Sequence, residues 1–259
     1  MLENTSSLSG PVNRKQLFTN GTFTFKCHKE LSCFTKCCKN ADMYLYPYDI
    51  IRLKNRLNIS SDELLKHKTI SAFRDNPYFP SLMLRMTDTE DKSCPFLSVN
   101  GCVVYEDRPF SCRAYPLELA VARNDFESQK LTCYFVATHS YCLGHGESRE
   151  WTAEQWMEDQ IIHIYNDMND LWVKIDTIFR QNPWGKEGTT GKALKMAFMA
   201  CFNVDKMREF VFNTTFLSRF DIPLDRMEQC KVSDVEMMKL GFDWVKYFLA
   251  GTGPLALKE

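Results

Sequence analysis

Cys27-His28-Lys29-Glu30-Leu31-Ser32-Cys33-Phe34-Thr35-Lys36-Cys37-Cys38 places four thiols in one short stretch, the last two adjacent. A second group follows as Cys94-x7-Cys102-x9-Cys112, and then Cys133 and Cys142. Of the 11 cysteines, only Cys201 and Cys230 lie outside this region. Those two read as ordinary buried thiols. Adjacent cysteines with two more just upstream do not readily close disulfides among themselves, but they can turn several thiolates toward a soft cation. Cys37 and Cys38 are poorly placed to chelate one ion symmetrically, and more naturally serve two metals or two sites. The count exceeds the four ligands that one zinc ion or one cubane cluster takes. Two mononuclear sites, a polynuclear site, or a cluster with spare thiols all remain open.

The expected compartment favours metal over disulfide. Met1-Leu2-Glu3-Asn4-Thr5-Ser6-Ser7 lacks a basic start followed by an apolar run, so no secretory leader is expected. The most apolar segment, Lys195 to Phe202, is far short of the roughly 20 residues of a membrane helix. A cytoplasmic protein is expected, where thiols stay reduced unless a metal holds them. With 259 residues, 44% hydrophobic and 25% charged, the chain is large enough for a real core. A formal net charge of −1 supplies no global field for nucleic acid or an anionic membrane, and neither is expected as a partner. The partner or substrate stays unnamed.

Texture divides the chain near residue 150. Residues 1–20 read as a flexible lead-in. Residues 21–150 read as a cysteine-rich metal-binding domain, and residues 151–259 as a helical region packed on it. The fold class is α+β, with short strands and helices in the first half and mostly helices in the second. Thr22-Phe23-Thr24-Phe25 alternates as a strand delivering Cys27. Pro47 opens a helix to Leu57, with Ile50, Leu53 and Leu57 on one face. Ser60 and Glu63 form a capping box for a second helix. Strands are expected at Leu82–Met86, Cys94–Leu97, Leu117–Ala122 and Leu131–Ala137. Asn100-Gly101 marks a hairpin that brings Cys94 toward Cys102. Thr152 and Gln155 cap one long amphipathic helix running to Ile178. Further helices are expected at 189–202, 205–216 and 233–250.

Three histidines accompany the cysteines: His28, His139 and His145. Each reads first as a hydrogen-bonding group, with His145 the best placed of the three to act as a ligand. Arg108, Arg113 and Tyr115 flank Cys112. Cationic neighbours would stabilise a thiolate-rich cluster and could hold an anionic substrate, so Arg113 and Tyr115 are the candidate catalytic residues. A surface salt bridge is the plainer alternative.

The run Phe25-Lys26-Cys27…Cys33…Cys37-Cys38, then Cys94-Pro95-Phe96-Leu97…Gly101-Cys102-Val103-Val104-Tyr105-Glu106-Asp107-Arg108-Pro109…Cys112-Arg113-Ala114-Tyr115-Pro116, then Cys142-Leu143-Gly144-His145-Gly146, resembles the YkgJ-type cysteine-cluster family. The resemblance spans about residues 23–160. It implies a zinc- or iron-chelating domain whose members are often labelled iron–sulfur oxidoreductases. The family's eight cysteines fall on Cys27, Cys33, Cys37, Cys38, Cys94, Cys102, Cys112 and Cys142, leaving Cys133 as an extra. The first motif departs from Cys-x2-Cys-x2-Cys-Cys by longer gaps, which bears most on Cys27. Flagellin lysine N-methylase is similar through the same cysteine block. The chain has no Gly-x-Gly-x-x-Gly for S-adenosylmethionine and no Cys-x3-Cys-x2-Cys radical triplet.

These features lead to an expectation of iron over zinc: an iron–sulfur cluster, 4Fe–4S favoured, or zinc or iron ions, in a redox or group-modifying enzyme. A zinc-stapled interaction domain and a metal-carrying maturation factor are the alternatives.

Overall fold

The computed structural model describes residues 12–17, 21–123 and 130–258. In chain order the first elements are β1 (Asn13–Leu17), β2 (Thr22–Thr24), β3 (Tyr44–Leu45), α1 (Pro47–Leu57), α2 (Ser61–Lys68), β4 (Thr69–Ala72) and β5 (Ser81–Leu84). The central elements are β6 (Leu97–Ser98), β7 (Gly101–Cys102), α3 (Phe110–Ala114), β8 (Leu117–Arg123), β9 (Lys130–Thr138) and β10 (Glu150–Thr152). The rest is largely helical: α4 (Ala153–Asp159), α5 (Ile162–Arg180), α6 (Lys192–Phe202), α7 (Val204–Asn213), α8 (Phe216–Arg219), β11 (Phe220–Asp221), α9 (Leu224–Val232), α10 (Asp234–Val245) and β12 (Ala256–Leu257). The class is α+β, with most strands in the first half and most helices in the second.

By contact, the chain groups into two interleaved units. The first gathers residues 1–43, 86–103 and 110–164; the second gathers 44–85, 104–109 and 165–259.

In the first unit, β9 lies between β1 and β8, all antiparallel. β2 pairs with β10, setting Phe23 opposite Trp151. Alternation along β2 buries Phe23 and leaves Thr22 and Thr24 exposed. Phe25 follows into the same core with Trp151, Trp156, Met157 and Ile162. Both indoles are satisfied: Trp151 donates to the Phe25 carbonyl at 2.8 Å and Trp156 to the Ala114 carbonyl at 2.9 Å. Burying a ring of this size stabilises by about 4–6 kcal/mol as an upper figure, before side-chain entropy.

In the second unit, Pro47 sits in the first turn of α1 and the Tyr46 N–H donates to the Asp49 carboxylate at 2.9 Å. Ser60 Oγ accepts from the Glu63 N–H at 3.1 Å and starts α2. Stacked rings dominate the core, with Phe79 3.9 Å from Phe179 and 6.0 Å from Trp184 between centroids. Gly241 lets α10 approach the Ala200 carbonyl of α6 so closely that a Cβ would collide with it.

Five expectations change. The single helix from Thr152 to Ile178 is two helices, because Gln160 ends α4 and Ile161 takes a left-handed φ of 54°. Within the expected lead-in, Asn13–Leu17 form β1, an exposed polar strand on the edge beside β9. Cys94 and Pro95 lie ahead of β6, not within a strand, and the expected 233–250 helix widens into a π turn at Lys246–Ala250. α9 was not expected at all. Of the expected strands, β8 and β9 form, and residues 124–129 between them lie outside the described residues.

Candidate metal centre

Four chain segments of the first unit bring the thiols into one neighbourhood, each by a local device. The first carries Cys27 out of β2. Phe25 N–H donates to the Arg149 carbonyl at 2.9 Å and Lys26 N–H to the Gly144 carbonyl at 3.0 Å. The Cys142 loop is thereby laid alongside the Cys27 segment. A Cβ on Gly144 would stand 2.9 Å from the Phe25 ring and 3.0 Å from the Lys26 carbonyl, so only glycine permits this approach.

The chain then coils through tight turns, with Lys36 N–H donating to the Cys33 carbonyl and Cys38 N–H to the Thr35 carbonyl, both at 2.9 Å. Cys33 is buried, and its sulfur accepts the Leu143 N–H at 3.3 Å. A bridge between Lys39 and Ser93 docks the second group, and Cys94 N–H donates to the Cys38 carbonyl at 2.7 Å. The β6–β7 hairpin returns Cys102 opposite Leu97, with Gly101 at φ 106°. Helix α3 presents Cys112, whose sulfur lies 3.5 Å from the Met43 thioether.

Residues 26–143 match the family model described as "Putative zinc- or iron-chelating domain". Over this segment the chain is similar to that family, CxxCxxCC. No curated protein and no solved structure matches the chain.

The electrostatics of the domain show which thiols influence one another. Cys37 is lowered to about 7, chiefly because the Cys38 thiol hydrogen-bonds to it. Cys38 is raised in return by Cys37, then by burial, with Cys94 and Cys112 adding to it. Burial lifts Cys94 to about 11, and Cys102 and Cys37 contribute. Cys142 is raised by burial and by Cys33 and Cys37, while the Tyr115 hydroxyl opposes the rise. Tyr141, missed in the sequence, is pushed up to about 12 by burial and then by Cys37, Cys142, Cys38 and Cys33. Cys37, Cys38, Cys94 and Cys142 are thus each shifted by neighbouring groups, and Cys33, Cys102 and Cys112 are among the thiols that act on them. Cys27 and Cys133 do not rank among these principal influences; Cys133 sits on β9 opposite Ala120.

The histidines support the frame. His145 Nε2 lies 3.1 Å from the Tyr115 hydroxyl, and its ring packs 5.2 Å from Phe25. Its pKa is lowered by burial, against a hydrogen bond to the Ala137 backbone. His28 lies between Glu30 at 2.7 Å and Glu147 at 3.2 Å. His139 stacks on Tyr141 at 5.0 Å. Arg113 is buried and donates to the Gln160 carbonyl at 2.7 Å, at the break between α4 and α5. It acts there as a strut. Tyr115 faces the thiols through its hydrogen bond to Cys142, and burial followed by that bond raises its own pKa. Arg108 belongs to the second unit, where it covers the Tyr105 ring at 4.0 Å.

Soft thiols from one neighbourhood suit zinc or iron. As the side chains stand, no three His, Cys, Asp or Glu among the described residues form a set ready to hold an ion. The donor chemistry fits a soft or borderline cation, which these sulfurs would bind as thiolates. Among the described residues, no helix is long and apolar enough to cross a membrane. Met43 carried no sequence signal of its role, and Leu143 and Gly144 stood out only as members of the Cys142 motif, because each acts through a distant partner.

Proposed function

We propose that this chain holds iron through thiolates of Cys33, Cys37, Cys38, Cys94, Cys102, Cys112 and Cys142, with Cys27 as an outer ligand, in an iron–sulfur or polynuclear centre. The supporting observation is that the shifts of Cys37, Cys38, Cys94 and Cys142 involve seven thiols in all, Cys33, Cys102 and Cys112 included, more than one tetrahedral ion uses. When bound, such a centre would supply one-electron chemistry or a Lewis acid for a redox or group-modifying reaction. The chain's own contribution is positional. Tyr115 holds Cys142 and contacts His145, His145 is fixed against Phe25 and Ala137, and the Leu143 N–H is directed at Cys33. Each restrains a sulfur or its support, as outer partners of metal ligands do.

A metal-carrying role is the second reading, favoured by the exposure of Cys27, Cys37 and Cys112. Ligands at a surface can pass an ion to a partner. The deciding experiment is iron, zinc and acid-labile sulfide content, with the absorption spectrum, of protein purified without oxygen. Brown protein with sulfide-to-iron charge-transfer bands is the expected result. Colourless protein with stoichiometric zinc would overturn the iron reading, and metal transfer to an apo-acceptor would favour the carrier.

A further inference from the structure

In the second unit, a cavity of about 360 Å³ with no cysteine in its lining opens where α7, α8 and the π turn after α10 meet. That volume lies at the small end of ligand pockets. Its wall is aromatic: Phe210, Phe216, Phe220, Trp244, Tyr247 and Phe248 line it. The rings brace one another. Trp244 and Phe248 stack at 5.1 Å, Phe216 and Phe220 lie 4.8 Å apart, and Tyr247 meets Phe220 edge-on at 5.1 Å. The wall is preformed by these contacts and would not have to be assembled by a ligand.

The polar lining has one sign. Arg219 contributes a guanidinium, and Thr214 and Thr215 contribute hydroxyls, while no Asp or Glu lines the cavity. Arg219 has no side-chain hydrogen bond or ion pair among the described residues, in a unit whose Arg208 and Arg226 are both paired with carboxylates. The backbone adds a further sign of use. Tyr247 and Phe248 belong to the π turn Lys246–Ala250, which ends at Gly251 with φ 62°. A π turn is less favourable than the α-helix it replaces and recurs at functional sites. Here it sets two of the wall's rings.

We propose that this cavity binds a flat, apolar carboxylate, its ring system lying on the aromatic wall and its carboxylate paired with Arg219. A neutral aromatic would gain the wall but not the cation, and a sugar or nucleotide would leave too many hydroxyls facing rings. A planar carboxylate satisfies both features, since guanidinium and carboxylate match as a two-point pair.

The test uses the full chain with 2-naphthoate, and with naphthalene-2-methanol as the neutral counterpart, in calorimetric titrations. Saturable binding of 2-naphthoate is expected, with the alcohol at least about tenfold weaker. Arg219→Gln, at an exposed position, should weaken 2-naphthoate by about tenfold and leave the alcohol unchanged. Phe248→Ala should weaken both, because it removes wall from either ring. Absence of saturable 2-naphthoate binding up to millimolar concentration would overturn the proposal. So would equal affinity for the two probes, or an Arg219→Gln protein that binds 2-naphthoate as the parent does.

Discussion

Around Phe79 the second unit fills its interior with stacked rings and aliphatic side chains, whereas between Cys33 and Cys142 the first unit gathers thiols, most of them half-buried or exposed, beside its smaller aromatic core. The difference is one of what each needs in order to be stable. Rings bury themselves without any third party. Thiols raised by burial stay protonated and contribute little until a cation replaces their protons. The aromatic unit should therefore stand alone, and the thiol unit should lean on its metal.

The largest effect should come from breaking the thiol set. Cys38→Ser or Cys112→Ser should lose metal and with it a binding contribution on the order of 10 kcal/mol. Hydrogen exchange should then report opening across β2, β6, β7 and β10, with protection kept in α6, α7 and α10. Unchanged metal content in both variants would remove these residues from the site. Next in size, Phe79→Ala should destabilise the second unit by about 3–5 kcal/mol and leave the metal content unaltered. Loss of metal in that variant would erase the contrast between the units.

Smaller still, Gly144→Ala should cost about 1–3 kcal/mol, because the new methyl meets the Phe25 ring and the Lys26 carbonyl. The loss should be read as faster metal release to a chelator and not as a change in the aromatic unit. An effect of comparable size per pH unit concerns proton release. Raised thiols must give up protons to bind an ion, so affinity for added zinc or iron(II) should fall as pH falls, by about tenfold per released proton per pH unit. A flat profile between pH 6 and 8 would mean that the ligands are already thiolates.

How much of this was written in the sequence depends on how local each feature is. Pro47 to Leu57 was legible because proline and the apolar spacing act within one helix. Asn100-Gly101 announced the hairpin, since its turn chemistry is confined to a few residues. The break at Gln160–Ile161 was not legible, because apolar spacing runs on through it while Arg113, far earlier in the chain, holds the Gln160 carbonyl. β1 escaped notice because Asn13-Arg14-Lys15-Gln16 is polar and owes its conformation to β9. For the site, the identity of the thiols was plain from their spacing. The bridge from Lys39 to Ser93, which unites the two cysteine groups, was not. Arg113 looked like a neighbour of the thiols and is a buried brace instead.

The interleaving of the two units bears on what could be cut from this chain and still fold. A fragment trimmed to residues 26–143 would keep every thiol of the family pattern yet forfeit Phe23, Phe25, Trp151, Trp156, Met157 and Ile162, and with them the whole β2–β10 pair. It would also carry residues 44–85, whose companions α6, α7 and α10 lie beyond its end. The sulfur-bearing motif is thus not a cassette to be lifted out and grafted elsewhere. Its inheritance is tied to a tail that carries none of the family pattern's cysteines.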